Sequence, residues 1–313
     1  MSALLFPGQG SQVVGMGSEF YNKFDLVKKI FKEADEKLNY PISKIILEGP
    51  ENELQLTKNT QPAILTVSYS IFNVLKMEFG FDFSDFKYFA GHSLGEYSAL
   101  VCSESLNFAD ALYLLHERGK AMQEAVPVGK GGMIAVLGVK IENIIDLLKS
   151  QNKFEGVCEI ANDNADGQVI ISGNIEKIEN FKTFLKEKKI KSIPLKVSAP
   201  FHCTLMKPAT EIMREKILST KFINPQFKIV NNVTASPETN SDIIKELLIK
   251  QISSTVRWRE SVIKIYKNNT KNFIEIGPGK ILTGMVKRTI KNVNCFSINS
   301  IDDIKTLNNE FKK

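Results

Sequence analysis

Gly91-His92-Ser93-Leu94-Gly95 follows a short apolar run, Tyr88-Phe89-Ala90, and leads into an amphipathic segment from Leu94 to about Cys102. Few folds accommodate a chain that passes from a buried strand through a five-residue turn straight into a helix. The two glycines stand where a Cβ would collide with the neighbouring strand or helix, so the turn can be tight. In that strand, turn and helix context a serine hydroxyl is raised above a sheet with backbone N–H groups beside it. Ser93 is therefore the candidate nucleophile. A G-x-S-x-G run also suits a plain flexible turn, so the rest of the chain has to decide.

At 313 residues the chain exceeds what one core usually holds, which favours two domains or one large domain with an insertion. Ala3-Leu4-Leu5-Phe6 predicts a buried strand running into the glycine-rich loop Pro7-Gly8-Gln9-Gly10-Ser11-Gln12. Val13 stands where a dinucleotide fingerprint needs a small residue, so that reading fails. Apolar spacing predicts a helix over 21–38, a second beginning after Thr60-Gln61-Pro62, and a third from Asn107 or Phe108 to Ala125.

From Lys130 the pattern changes. Strands are expected over 133–139, 157–161, 168–172 and 192–197 and helices over 141–150 and 175–188, separated by glycine-bearing turns. The order β-α-β-β-α-β is that of a ferredoxin-like unit. Residues 129–197 are accordingly read as an inserted small subdomain, and 1–128 with 198–313 as one large α/β subdomain. In the latter, strands over 227–233, 273–276 and 295–298 alternate with helices over 242–252, 256–268 and from Ile281, with a short helix at the end. This alternation predicts a central, mainly parallel sheet covered on both faces. Gly277-Pro278-Gly279-Lys280 lacks the spacing of a Walker motif.

A serine nucleophile needs a base, and three histidines are available. His92 adjoins Ser93, so its ring leaves the turn in another direction. His116 lies two residues from Arg118 and so on a different helix face. His202, in the irregular segment Ser198-Ala199-Pro200-Phe201-His202-Cys203, sits where a loop can present an imidazole. His202 is the candidate base. No acidic residue stands out as a third member: Asp163 and Asp166 belong to the small subdomain, and a backbone carbonyl can orient an imidazole, so a dyad is expected. Arg118, near the end of a mostly apolar helix, is either solvated or pointed into a cleft, where its planar fork would grip a carboxylate.

Phe6-Pro7-Gly8-Gln9-Gly10-Ser11-Gln12, Gln61-Pro62-Ala63, Gly91-His92-Ser93-Leu94-Gly95-Glu96, Arg118-Gly119, Pro200-Phe201-His202, Asn231-Asn232-Val233 and Gly277-Pro278-Gly279-Lys280 together resemble the malonyl-CoA:acyl carrier protein transacylases of bacterial fatty acid synthesis. The resemblance runs in order from residue 4 to about residue 290. It implies a hydrolase-like large subdomain with a ferredoxin-like insertion, Ser93 as nucleophile, His202 as base and Arg118 as partner of the malonyl carboxylate. It further implies oxyanion-hole N–H groups from Gln9 and Leu94, and the Gln251 backbone carbonyl as the group that orients His202. Ala165-Asp166-Gly167-Gln168 departs from the family's usual Ser-Pro-Gly-Gln and leaves Asn162 and Asn164 without an assigned role. Phe201 resembles the residue that accompanies malonyl over methylmalonyl selection in related polyketide acyltransferase domains.

The resemblance implies malonyl-CoA and an acyl carrier protein as partners and no metal or redox cofactor. The net charge of +6 and pI near 8.9 suit an acidic carrier protein, with Lys186, Lys188, Lys189 and Lys191 as a candidate docking cluster, and are too small and dispersed to argue for nucleic acid. No apolar run of 18 residues or secretory leader is present, and the four widely spaced cysteines show no metal-binding pattern. A cytoplasmic monomer with free, buried cysteines is expected.

Overall fold

The computed structural model describes residues 1–151, 155–197 and 199–311 and is built on two sheets. The chain opens with β1 (Ser2–Phe6), followed by helices α1 (Ser18–Lys23), α2 (Asp25–Leu38), α3 (Ile42–Glu48), α4 (Glu51–Gln55) and α5 (Thr57–Asn73). Then come β2 (Phe86–Gly91), α6 (Gly95–Cys102), α7 (Phe108–Glu124), β3 (Gly131–Leu137), α8 (Ile141–Ser150), β4 (Cys158–Ala165), β5 (Gln168–Asn174), α9 (Ile175–Glu187) and β6 (Lys191–Pro194). The remainder comprises α10 (Lys207–Ser219), β7 (Lys228–Val230), β8 (Pro237–Glu238), α11 (Ser241–Gln251), α12 (Trp258–Lys267), β9 (Asn272–Ile276), α13 (Ile281–Thr289), β10 (Asn294–Ile298) and α14 (Ile301–Phe311).

The larger sheet has the order β10-β9-β1-β2-β7-β8 and is parallel except for β8. Side chains alternate across it with the strand period of two. Leu4, Phe6 and Phe89 enter the core under α5 and α7, whereas Ala3, Leu5, Tyr88 and Ala90 pack with Trp258 and Phe273 on the other face. Burial of both faces explains why β1 and β2 read as continuous apolar runs.

The smaller sheet, order β4-β5-β3-β6, is wholly antiparallel. Ile134, Val136, Val169 and Ile171 face α8 and α9. Met133, Ala135 and Ile170 turn the other way and join the core of the larger sheet. Between the two sheets, at the carboxyl ends of the parallel strands, lies a cleft of about 310 Å³.

Three sequence expectations need correction. The helix expected over 21–38 is two helices, because Phe24 is extended (φ -118°, ψ 120°) and ends one while starting the other. The second helix begins at Thr57 rather than after Pro62, which lies inside it. Proline at 62 has no N–H for the Lys58 carbonyl four residues back; that carbonyl instead lies 3.2 Å from His116 Nδ1 on α7. All four cysteines are free, but Cys158 and Cys295 are only partly buried. Ser198, the expected start of the second large segment, lies outside the described residues.

Candidate active site

The turn at Ser93 is tight, and the serine itself takes left-handed backbone, with φ 53°. A Cβ on Gly91 would come within 1.8 Å of the Gly95 carbonyl carbon, and one on Gly95 within 2.2 Å of the Phe6 oxygen. Only hydrogen fits at either position. Asn232 clamps the turn, accepting from Ser93 N (2.7 Å) and donating to Gly91 O (2.8 Å). With the Ser93 N–H occupied, Gln9 and Leu94, both lining the cleft, are among the residues whose backbone N–H has no partner among the described residues.

His202 Nδ1 lies 2.9 Å from Gln251 O, and a carbonyl can only accept, so Nδ1 carries the proton of the neutral ring. Nε2 is then bare and accepts from Ser93 Oγ at 2.8 Å. Gln251 O is available because it lies in the last turn of α11, where helical carbonyls lack intrahelical donors. Burial, reinforced by the Arg118 charge, pushes the His202 pKa down to about 3, so the ring is neutral around pH 7. The arrangement is a serine–histidine pair oriented by a carbonyl.

Arg118 points inward from α7 and is 1% exposed. It donates to Gln61 Oε1 (2.7 Å), Gln251 Oε1 (2.8 Å) and Ser93 Oγ (3.1 Å). These three acceptors are neutral. Its buried Nε–H has no partner among the described residues. Of five guanidinium N–H groups two are therefore uncommitted, one on Nε and one on Nη1.

The other two histidines have structural roles: His92 Nε2 donates to Asn164 Oδ1 (2.8 Å), and His116 joins α7 to Lys58 O and Tyr40. Asp163 is turned away from His202 and accepts from Arg259 Nε at 2.9 and 3.0 Å. Asn162 and Asn164 do line the cleft, because β4 alternates sides around the buried Asp163.

Sequence reasoning missed the side chains of Gln251, Asn232 and Glu96. Gln251 Nε2 donates to Glu96 Oε2 (2.8 Å) and Ser93 O (3.1 Å), so one residue serves the histidine through its backbone and the arginine through its side chain. Glu96 left a signal, as the one charged residue in the otherwise uncharged α6. Gln251 left none, because its role depends on where α11 ends. Among the described residues, no group of three or more His, Cys, Asp or Glu is arranged to hold a metal, and no helix is long and apolar enough to cross a membrane.

Residues 3–308 match the family model for the acyl transferase domain. A malonyl CoA-acyl carrier protein transacylase of Bacillus subtilis is 42% identical over 304 residues, covering 97% of this chain and 95% of the relative. The structure of an acyl-carrier-protein-S-malonyltransferase from Bartonella henselae superposes with a TM-score of 0.96 at 37% identity, covering 100% of this chain and 99% of that one. A malonyl-transacylase in complex with its type II PKS acyl-carrier protein gives a TM-score of 0.93 at 38% identity, covering 97% and 98%.

Proposed function

The chain belongs to the acyl transferase family, and from that footing we propose that it transfers malonyl from malonyl-CoA to the phosphopantetheine thiol of an acyl carrier protein, supplying fatty acid elongation. The observation that carries this reading is Arg118, buried with its guanidinium 3.1 Å from Ser93 Oγ and with N–H groups to spare. A simple hydrolase has no use for such a cation there. A thioester ending in a carboxylate does.

As Ser93 Oγ attacks the thioester carbonyl, His202 Nε2 takes the hydroxyl proton. The oxyanion is met by the N–H groups of Gln9 and Leu94, each contributing about 3 kcal/mol to lowering the barrier. The C–S bond then breaks, the imidazolium returns its proton to the departing sulfur, and malonyl remains as a Ser93 ester. The carrier thiol enters, loses its proton to His202 and attacks the ester; the proton passes back to Ser93 Oγ. Every proton and electron pair in this ping-pong cycle is held by substrate, Ser93 or His202, so the route calls for no cofactor. Arg118 holds the malonyl carboxylate throughout.

The same reading divides the chain into a hydrolase-like large subdomain, 1–128 and 198–313, and a ferredoxin-like small one, 129–197. Support comes from β3 to β6, which form a sheet of their own. The enzyme is read as a cytoplasmic monomer. An acidic carrier protein would approach the exposed lysines 186, 188, 189 and 191 at the end of α9 and the start of β6. Intact-mass analysis after mixing with malonyl-CoA tests the core claim. One malonyl group should be retained by the protein, be lost in Ser93→Ala, and pass to added carrier thiol; release to water instead would reject transfer.

A further inference from the structure

Arg118 is 1% exposed, yet it forms no ion pair among the described residues. A guanidinium does not shed its proton, so its charge has to be balanced from elsewhere. Glu96, 1% exposed, lies directly behind Gln251. Its Oε2 accepts from Gln251 Nε2 (2.8 Å) and Asn232 N (3.1 Å), while Gln251 Oε1 accepts from Arg118 Nη2 (2.8 Å). An amide between a donor-only guanidinium and an acceptor-only carboxylate can be set only one way, oxygen to the cation and nitrogen to the anion. Its dipole then lies head to tail between the two charges.

We infer that Glu96 is the counter-charge of Arg118, kept off the guanidinium by the Gln251 amide so that the cation stays in place while its uncommitted N–H groups remain open to the substrate carboxylate. The inference rests on the reading above that Arg118 receives that carboxylate. A direct Glu–Arg pair would balance the charge better but would occupy the N–H groups the acyl chain needs. Placing the anion one amide away balances the free protein without competing. Burial raises the Glu96 pKa to about 7 against the pull of Asn232, Gln251 and Arg118, so the charged form predominates at pH 8.

Glu96→Gln keeps the shape and the acceptor and removes the charge, which predicts opposite effects on the free and the liganded protein. Affinities for malonyl-CoA and acetyl-CoA are measured by calorimetry at pH 8 in a Ser93→Ala background, where no acyl group can be transferred. Malonyl-CoA should bind on the order of fivefold tighter in Glu96→Gln, the size of one like-charge repulsion removed across a partly screened interior, with acetyl-CoA changed less than about twofold. The free Glu96→Gln protein should melt at a lower temperature. A role in packing alone would weaken both ligands together.

A second arm uses Arg118→Ala, in which Glu96 is a buried charge without its partner; there Glu96→Gln should raise the melting temperature. Malonyl-CoA affinity unchanged or weakened in folded Glu96→Gln, or a melting shift of the same sign in both backgrounds, overturns the inference and leaves the function reading intact. If Ser93→Ala binds the two thioesters equally and adding Arg118→Ala changes neither affinity, the function reading itself fails and takes this inference with it.

Discussion

At the scale of single residues, the cleft separates chemistry from selection. In the proposed reaction Ser93 and His202 would act on any thioester, whereas Arg118 would act only on one that ends in a carboxylate. Arg118→Ala should therefore lower kcat/KM for malonyl-CoA by about 10- to 100-fold, the value of a hydrogen bond to a charged group, while some acetyl transfer persists. Steady-state kinetics with both thioesters checks this, and equal loss with both would reject the anchoring role. His202 supports a prediction with a definite sign. Its pKa falls from 6.5 to about 3 on folding, so between those values the unfolded chain binds the extra proton. The contribution of His202 to stability is complete above pH 6.5 and is lost as pH falls toward 3. The His202 ring resonances should accordingly show no protonation between pH 8 and 5, and a titration near 6.5 would contradict the buried, cation-facing environment. Ser93 was legible as a candidate from its glycine-flanked turn, and His202 and Arg118 because histidine and arginine are scarce in this chain. The Gln251 side chain was not, since an amide is common and its importance arises only where Arg118 and Glu96 meet it.

At the scale of elements, the sheets were readable because burial on both faces or on alternate faces leaves a direct apolar pattern. Helix ends were less so. Pro62 looks like a first-turn residue, yet the helix starts five residues earlier because His116, remote in sequence, takes over the carbonyl that proline leaves unbonded. Lys207–Ser219 escapes a sequence reading because its apolar stripe is narrow, with Ala209, Met213 and Ile217 four residues apart. Close helix approach was equally hidden. Gly119, next to Arg118, lets α7 lie against the start of α5: a Cβ there would meet Thr57 O at 2.5 Å and Lys58 Cα at 2.6 Å, both backbone atoms that cannot rotate away. Gly119→Ala should therefore destabilise by about 1–3 kcal/mol and pull Arg118 from its acceptors, reducing malonyl transfer more than acetyl transfer. Thermal melts and the same pair of kinetic assays measure both effects. An unchanged melting temperature would mean that the two helices can separate freely.

At the scale of the whole molecule, the cleft exists only while the smaller sheet stays docked on the larger unit. The tie is β4, where Asp163 N donates to Val256 O (2.9 Å) and Val256 N to Ala161 O (2.8 Å), so residues flanking α12 extend that sheet by one bridge. The Asp163 side chain, 0% exposed, accepts from Arg259 on α12. Burial already pushes its carboxyl pKa up, with Arg259 opposing the rise. Arg259→Ala would remove that opposition and leave a buried carboxylate without its cation, at a cost of about 3–5 kcal/mol when ionised. The carboxyl would respond by holding its proton to higher pH. A folded pKa raised above the unfolded one gives stability that is complete below the unfolded value and is lost as pH rises through the folded one. The melting temperature of Arg259→Ala should therefore trail the parent by more at pH 8 than at pH 5. Because Asn162 and Asn164 flank Asp163 and line the cleft, a loosened β4 should also raise the KM for malonyl-CoA more than it lowers kcat. An equal deficit at both pH values would locate the loss in packing of the arginine stem instead, and an unchanged KM would show that the backbone bridge alone holds the two sheets in register.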